Sequence, residues 1–362
     1  MALAPAAGAG FFSPDYVSAR SRFRAAARIC GAKLDELPLA ARGPRSEELT
    51  IDLAWLGPRK PRHALLHISG VHGVEAFAGS ATQLALLEKT PSLPADGALI
   101  LVHVLNPWGM AWLRRTNEHN VDLNRNFHPD NSTWTGSPPL YNRIDSLLNP
   151  ASPPNRDAFV PRIVLAGLRH GTRNLRQAIA HGQHRYPRGL FYGGSGLQPG
   201  LAVFSEWIRS ELTGLDSLFV IDMHTGLGPH ARDTLIAEPA QAGTTITLEQ
   251  ILRRRIAGGS SSTAAYTVRG SLGSALPRLL PGVRTTFLLQ EIGTWSPLRV
   301  LHALREENRW HHYGNGGTDH SAKRRLLEAL CPAAPAWRDA AVAHGIRLVQ
   351  QSLRHQFQEK SP

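Results

Sequence analysis

Residues 64–83 read ALLHISGVHGVEAFAGSATQ, and the order of those side chains decides the architecture. Ala64 to Ser69 form an apolar run, the run breaks at Ser69-Gly70, and helix-forming, amphipathic spacing resumes after Gly73. The segment predicts strand, tight turn and helix. His72 and Glu75 fall in the turn, an imidazole and a carboxylate at the carboxyl end of a buried strand. An open α/β sheet places its chemistry there, and such a pair can grip a divalent metal.

Outward from this stretch, Gly97 to Leu105 (GALILVHVL) is a second near-continuous apolar run, stopped by Asn106-Pro107. Strand, helix and strand make a βαβ unit. Leu49 to Leu56 (LTIDLAWL) alternates apolar and polar residues and predicts a half-exposed strand. Residues 12–30 predict a leading helix entered through Ser13-Pro14. Further on, SLFVIDM (217–223) and TTFLLQ (285–290) predict two more buried strands, ending at His224 and Glu291. The four buried strands therefore deliver His72/Glu75, the segment WLRRTNEHNVDLNRNF, His224 and Glu291 to one sheet edge.

Between 128 and 200 the chain turns to Pro, Gly, Asn and Ser punctuation around one helical segment near 160–181. Long irregular stretches of this kind serve as lids or binding loops. The chain 1–362 reads as a single catalytic domain with a loop-rich insertion around 128–200 and a C-terminal helix around 322–356, whose apolar positions include Trp337 and Leu348. No internal repeat is found.

The composition, 42% hydrophobic and 19% charged, is that of an ordinary globular protein. A formal charge of +12 invites a nucleic-acid or anionic-surface reading, but the basic residues are nearly all Arg and scattered along the chain, so neither partner is expected. Cys30 and Cys331 make no disulfide framework. The N-terminus lacks the pattern of a secretory signal, and no run approaches the roughly 18 apolar residues of a membrane span. A cytoplasmic location with no membrane partner is expected, with the Asn131-Ser132-Thr133 sequon inert.

His72, Glu75 and His224 offer two imidazoles and a carboxylate, the three protein ligands of a catalytic zinc site. This nitrogen and oxygen mixture suits Zn2+ better than Mg2+ or Ca2+. Glu291 is the candidate base, and Arg114 and Arg115 are available to stabilise an oxyanion. Asp222 shares a strand face with His224 and reads equally as its partner or as a structural carboxylate. His311-His312 reads as structural, because adjacent helical residues do not face one another. Trp134, Phe191 and Tyr192 read as the small core of the large loop. No GxSxG elbow is present, since GGSGL at 193–197 ends in Leu, and both cysteines lie in helical terminal regions.

In order along the chain, HGVE, NVDLNRNF, DMHTG and LQEIGT resemble the zinc carboxypeptidase superfamily, the clan of carboxypeptidase A. SGVHGVEAFAGS, LNPWGMAWLRRTNEHNVDLNRNF and GLFYGGSG are similar to a bacterial branch catalogued as uncharacterised metallopeptidases. The resemblance spans roughly residues 12–350. It implies an α/β/α sandwich around a mixed, mostly parallel eight-stranded sheet and one zinc ion per chain. It also implies His72, Glu75 and His224 as metal ligands, Asp122 orienting the first His, and Asn124 and Arg125 holding a substrate carboxylate. Glu291 matches the general base, and Arg115, or Arg114 if the alignment slips by one, the oxyanion residue. The family's substrate-binding Tyr has no firm counterpart, Tyr266 being nearest by position.

The expected activity is zinc-dependent hydrolysis of an amide or peptide bond next to a free carboxylate, on a small peptide. The alternative is an N-acyl-amino-acid deacylase of the aspartoacylase and succinylglutamate desuccinylase type. A non-catalytic binding protein on the same scaffold is a third reading, and the intact Glu291 weighs against it.

Overall fold

The computed structural model describes residues 8–128, 134–238, 242–257 and 268–358. The sequon at 131–133 and Tyr266 lie outside the described residues. Eight strands form one sheet: β1 Lys33–Arg42, β2 Glu48–Leu56, β3 His63–Ser69, β4 Gly97–His103, β5 Ser217–Gly226, β6 Asp233–Ala237, β7 Ile256–Ala257 and β8 Arg284–Gly293. Their spatial order is β1-β2-β4-β3-β5-β8-β6-β7. The central strands β4, β3, β5 and β8 run parallel, β1 and β2 join one edge antiparallel, and β6 pairs antiparallel with β8.

Helices cover both faces of this mixed sheet, which is the expected α/β/α sandwich. Leu65, Leu99, Leu101, Phe219, Ile221 and Leu288 pack one face against Phe23 of helix Tyr16–Ile29, Leu84 of helix Ala76–Glu88 and Leu348 of helix Pro335–Gln358. On the other face, Leu66, Ile68, Val102, Leu218 and Val220 meet Leu201, Phe204 and Ile208 of helix Pro199–Leu212 and Leu276 of helix Leu272–Leu279. Strands covered on both faces read as near-continuous apolar runs, which is why the four central segments do not simply alternate.

The structure departs from the sequence reading in instructive places. β2 is buried along its length from Leu49, not half-exposed. Its polar Asp52 is fully buried and accepts from Thr50 Oγ1 and Arg24 Nη2, each at 2.7 Å, so the alternation records an internal ion pair instead of a wet face. The leading helix starts at Tyr16, where Asp15 accepts from Ser18 N at 2.8 Å and takes the capping role assigned to Ser13. The insertion carries three helices, Pro139–Leu148, Phe159–His170 and Thr172–Ala180, the last two divided at Gly171 with φ of 82°. The C-terminal helix is two, Ser321–Leu330 and Pro335–Gln358, because Pro332 cannot continue the first. Strand β1, with Pro38 on a sheet edge, and the short β6 and β7 were not anticipated.

Candidate metal centre

The chain leaves β3 for β4 on one side, while β5 returns on the other side of β3. The order reverses between β3 and β5, and ligands of open α/β sheets sit at such a reversal. The pairing of β3 with β5 runs to Ser69 opposite Met223, so His72 and His224 emerge from neighbouring strand ends. Gly73–Glu75 form a 3-10 turn and helix Ala76–Glu88 follows at once. Glycine is required at the turn: a Cβ on Gly73 would lie 1.9 Å from the Gly109 carbonyl carbon, so the backbone of Pro107–Ala111 packs directly on it.

His72, Glu75 and His224 come together, their donor atoms all within 4.8 Å of one another, and each residue is buried. His72 Nδ1 lies 3.0 Å from Glu75 Oε1, His224 Nδ1 lies 3.3 Å from Glu75 Oε2, and the two Nδ1 atoms are 3.1 Å apart. Both imidazoles therefore turn Nδ1 inward and Nε2 outward. His72 Nε2 lies 2.9 Å from Asp122 Oδ1, and His224 Nε2 lies 2.9 Å from Asp222 Oδ2. An Nε2–H facing a carboxylate leaves the Nδ1 lone pair free, which is how a ligating histidine is oriented. These residues fit a divalent metal ion.

Arg115 and Asp122 close the outer side of the cluster. Arg115 Nη1 donates to Glu75 Oε1 at 2.7 Å and its Nε donates to Asp122 Oδ2 at 3.2 Å. Gly73 N and Val74 N donate to the carbonyls of Arg115 and Arg114, so the ligand turn and the arginine loop hold one another through the backbone. Arg114 points away. Its guanidinium reaches Glu307, Asn120 and Asn308 in a buried network that also holds Lys323. Of the two candidates for the oxyanion residue, Arg115 alone faces the cluster.

Glu291 stands opposite His224 in the β5–β8 register, and its Oε2 accepts from Leu227 N at 3.3 Å. Burial, reinforced by the Glu75 charge, pushes its carboxyl up to about 7 against the pull of His224. Burial opposes ionisation of Glu75 and Asp122 as well, but His72 and Arg115 outweigh it and hold both below the usual carboxylate range. Burial likewise disfavours a charged His224, yet Asp222 and Glu75 raise it well above an ordinary imidazole. Two carboxylates at one site are thus pushed in opposite directions.

Asn124 and Arg125 occupy a 3-10 turn whose Asp122 cap accepts from Asn124 N at 3.0 Å. Arg125 reaches toward the insertion. Its Nε and Nη2 donate to Ala180 O at 3.0 and 2.7 Å, and its Nη1 stops 3.9 Å from Asp122 Oδ1. Its side chain borders an open cavity of about 540 Å³ shared with His181, His184 and Arg269. Asn124 Oδ1 is buried without a hydrogen-bond partner among the described residues.

Phe191 packs against the insertion's own core, as expected, and its ring also meets the two arginines of the site. Arg115 and Arg125 lie over its ring, 5.4 and 5.8 Å from the centroid. The neighbouring Tyr192 carbonyl accepts Asp122 N at 2.7 Å, and the Gly193 carbonyl accepts Asn126 Nδ2 at 2.7 Å. The GLFYGG segment thus straps the loop that carries Asp122, a role its Gly and aromatic content signals only once the strap's partner is known. Asp222 is the other residue the motifs underweight. It is fully buried, and neither oxygen has a hydrogen-bond partner among the described residues apart from its close approach to His224.

A family model described as "Protein of unknown function (DUF2817)" matches residues 12–344. No curated protein matches the chain. Among solved structures, the chain is similar to carboxypeptidase A from Helicoverpa armigera, with 14% identity, 87% of this chain and 73% of that one covered, and a TM-score of 0.47. It is similar to the murein-tripeptide amidase MpaA from Escherichia coli O157, with 18% identity, coverages of 85% and 97%, and a TM-score of 0.39. An aspartoacylase family protein from Mesorhizobium loti matches with 15% identity, coverages of 78% and 67%, and a TM-score of 0.39.

Proposed function

Since the chain belongs to the family described as "Protein of unknown function (DUF2817)", whose description assigns no activity, we propose from the site itself that it is a zinc-dependent hydrolase. The bond cleaved is an amide or peptide bond next to a free carboxylate. The observation that carries the reading is the convergence of two Nδ1 atoms and one carboxylate, with both Nε2 atoms backed by Asp122 and Asp222. Separations of 3.0, 3.1 and 3.3 Å suit the metal. A tetrahedral zinc shell with bonds of about 2.0–2.1 Å places its ligand atoms about 3.3 Å apart.

When bound, zinc supplies an acidified water and polarises the substrate carbonyl. The chain's own residues supply the rest. Glu291, its carboxyl near neutrality, accepts a proton at its carboxylate and returns it to the leaving amine. Arg115 presents a guanidinium from which the developing oxyanion draws stabilisation. Asn124 and Arg125 receive the substrate carboxylate, Arg125 by exchanging a backbone carbonyl for a bidentate acid.

Metal analysis of the purified protein, followed by a panel of peptides and N-acyl amino acids with and without a chelator, tests the reading. The expected result is about one zinc per chain and peptide hydrolysis abolished by chelation. Glu291→Gln should bind zinc and lose roughly 10²–10⁴ in turnover. Cleavage of N-acyl amino acids alone would reassign the substrate to the deacylase class, and full turnover by Glu291→Gln would remove the mechanism.

A further inference from the structure

Helix Phe159–His170 in the insertion has three sectors. Phe159, Ile163 and Gly167 are buried against the body of the insertion. Val160, Val164, Leu165 and Leu168 are 42%, 47%, 63% and 77% exposed, half of the large hydrophobic residues that are exposed among the described residues. At four-residue spacing Val160, Val164 and Leu168 line up along one ridge, with Leu165 beside it. Arg162 and Arg169 form the third sector, and the following helix adds exposed Arg173 and Arg176.

Along the sequence that carries this ridge, the charge has one sign. From residue 158 to residue 205 there are six arginines, no lysine and no acidic residue. The nearest acid in sequence, Asp157, is taken by Arg305 and Arg309. A second copy of the chain docked symmetrically here would bring like arginines together with no acid in either stretch to neutralise them. A groove-binding protein segment is a poorer match, since these aliphatic residues are 42–77% exposed and line neither cavity described for the molecule. Protruding aliphatic side chains beside exposed arginines are what a helix lying in a lipid interface presents, its apolar ridge among the acyl chains and its guanidiniums at anionic headgroups.

We propose that helix Phe159–His170 docks this protein peripherally on an anionic lipid surface. The ridge inserts, and Arg162, Arg169, Arg173 and Arg176 engage the headgroups. No spanning segment is needed: among the described residues no helix is long and apolar enough to cross a membrane. The sequence expectation of no membrane partner rested on the lack of a spanning segment and on arginines scattered along the chain, whereas Arg162, Arg169, Arg173 and Arg176 lie exposed on this helix and the next, beside one apolar ridge.

The full-length protein tests this in vesicle flotation. Vesicles of equal parts phosphatidylglycerol and phosphatidylcholine are compared with pure phosphatidylcholine, at low and raised NaCl. The wild type should float with the anionic vesicles, weaken with salt, and leave pure phosphatidylcholine largely unbound. Leu165→Ser/Leu168→Ser and, separately, Arg169→Glu/Arg173→Glu should each lower binding by about tenfold or more. Their melting temperatures should match the wild type because all four positions are exposed. Absence of flotation overturns the proposal, as does flotation untouched by both variants. A wild-type dimer that Leu165→Ser/Leu168→Ser converts to monomer would overturn it in favour of a second copy. Retention of the wild type by acidic proteins but not by vesicles would overturn it in favour of a protein partner.

Discussion

Asp222 is a buried carboxylate whose oxygens have no hydrogen-bond partner among the described residues beyond the close approach of the His224 imidazole. Burying an ionised group without partners is costly, so such a residue persists where the neighbouring histidine gains from it. Replacing it with Ala should weaken zinc binding by roughly 10–100-fold, read by competition with a chromophoric chelator. Two other buried histidines, His67 and His103, lie on the far face of the sheet, and burial pushes each down to about 4 from an ordinary 6.5. Between those values the unfolded chain binds more protons than the folded one. Their contribution to stability is therefore complete above about pH 6.5 and falls as the pH drops toward 4, by up to about 1.4 kcal/mol per pH unit for each histidine. Glu291, raised instead of lowered, works in the opposite sense over much of this range, so the informative quantity is a difference. Urea unfolding at pH 7 and pH 5 should show a smaller acid penalty for His67→Gln than for the wild type.

At the scale of elements, the arginine loop is held from behind. Glu307 on helix Pro297–Tyr313 bridges Arg114 Nε at 3.0 Å and Lys323 Nζ at 2.7 Å, and Lys323 also donates to the Trp112 carbonyl. All three ionic groups are buried. Glu307→Gln strands two buried cations and should cost about 3–5 kcal/mol in chemical denaturation, while a Met at 307 together with Met at 323 and Leu at 114 should recover part of it. The same scale explains what the sequence made legible. β3, β4, β5 and β8 are covered on both faces, so their apolar runs were readable without knowing the covering helices. β2 has the same burial but carries Asp52, and an alternating pattern cannot distinguish water from Arg24 as the partner of a carboxylate. Pro139 opens the first of the helices between 139 and 180 and Gly171 divides the other two, so the residues that made the stretch look irregular mark helix boundaries. His72, Glu75 and His224 were legible because each sits beside the end of a readable strand. The Phe191 strap was not, because its meaning depends on Arg115 and Arg125, which arrive from elsewhere in the chain.

For the whole molecule, the proposed metal ligands come from two segments, those of Glu75 and His224, which are 224 − 75 = 149 positions apart. Zinc bound by the folded state alone must stabilise it, because the unfolded chain does not hold these segments together. At free zinc 100 times the dissociation constant the gain is about 2.7 kcal/mol, visible as a rise in melting temperature that a chelator reverses. Glu75→Gln should abolish most of the rise while leaving a folded protein.

The pairing of β3 with β5, from His63 opposite Ser217 to Ser69 opposite Met223, acquires a further meaning from this. Sliding one strand by a single residue displaces it about 3.3 Å and turns His224 to the opposite face of the sheet. Only one alignment presents all three donors at once. On the proposed function the ion would act as a proofreader of strand alignment: misaligned sheets would forfeit its binding energy, and refolding in the presence of zinc should favour the correctly paired product.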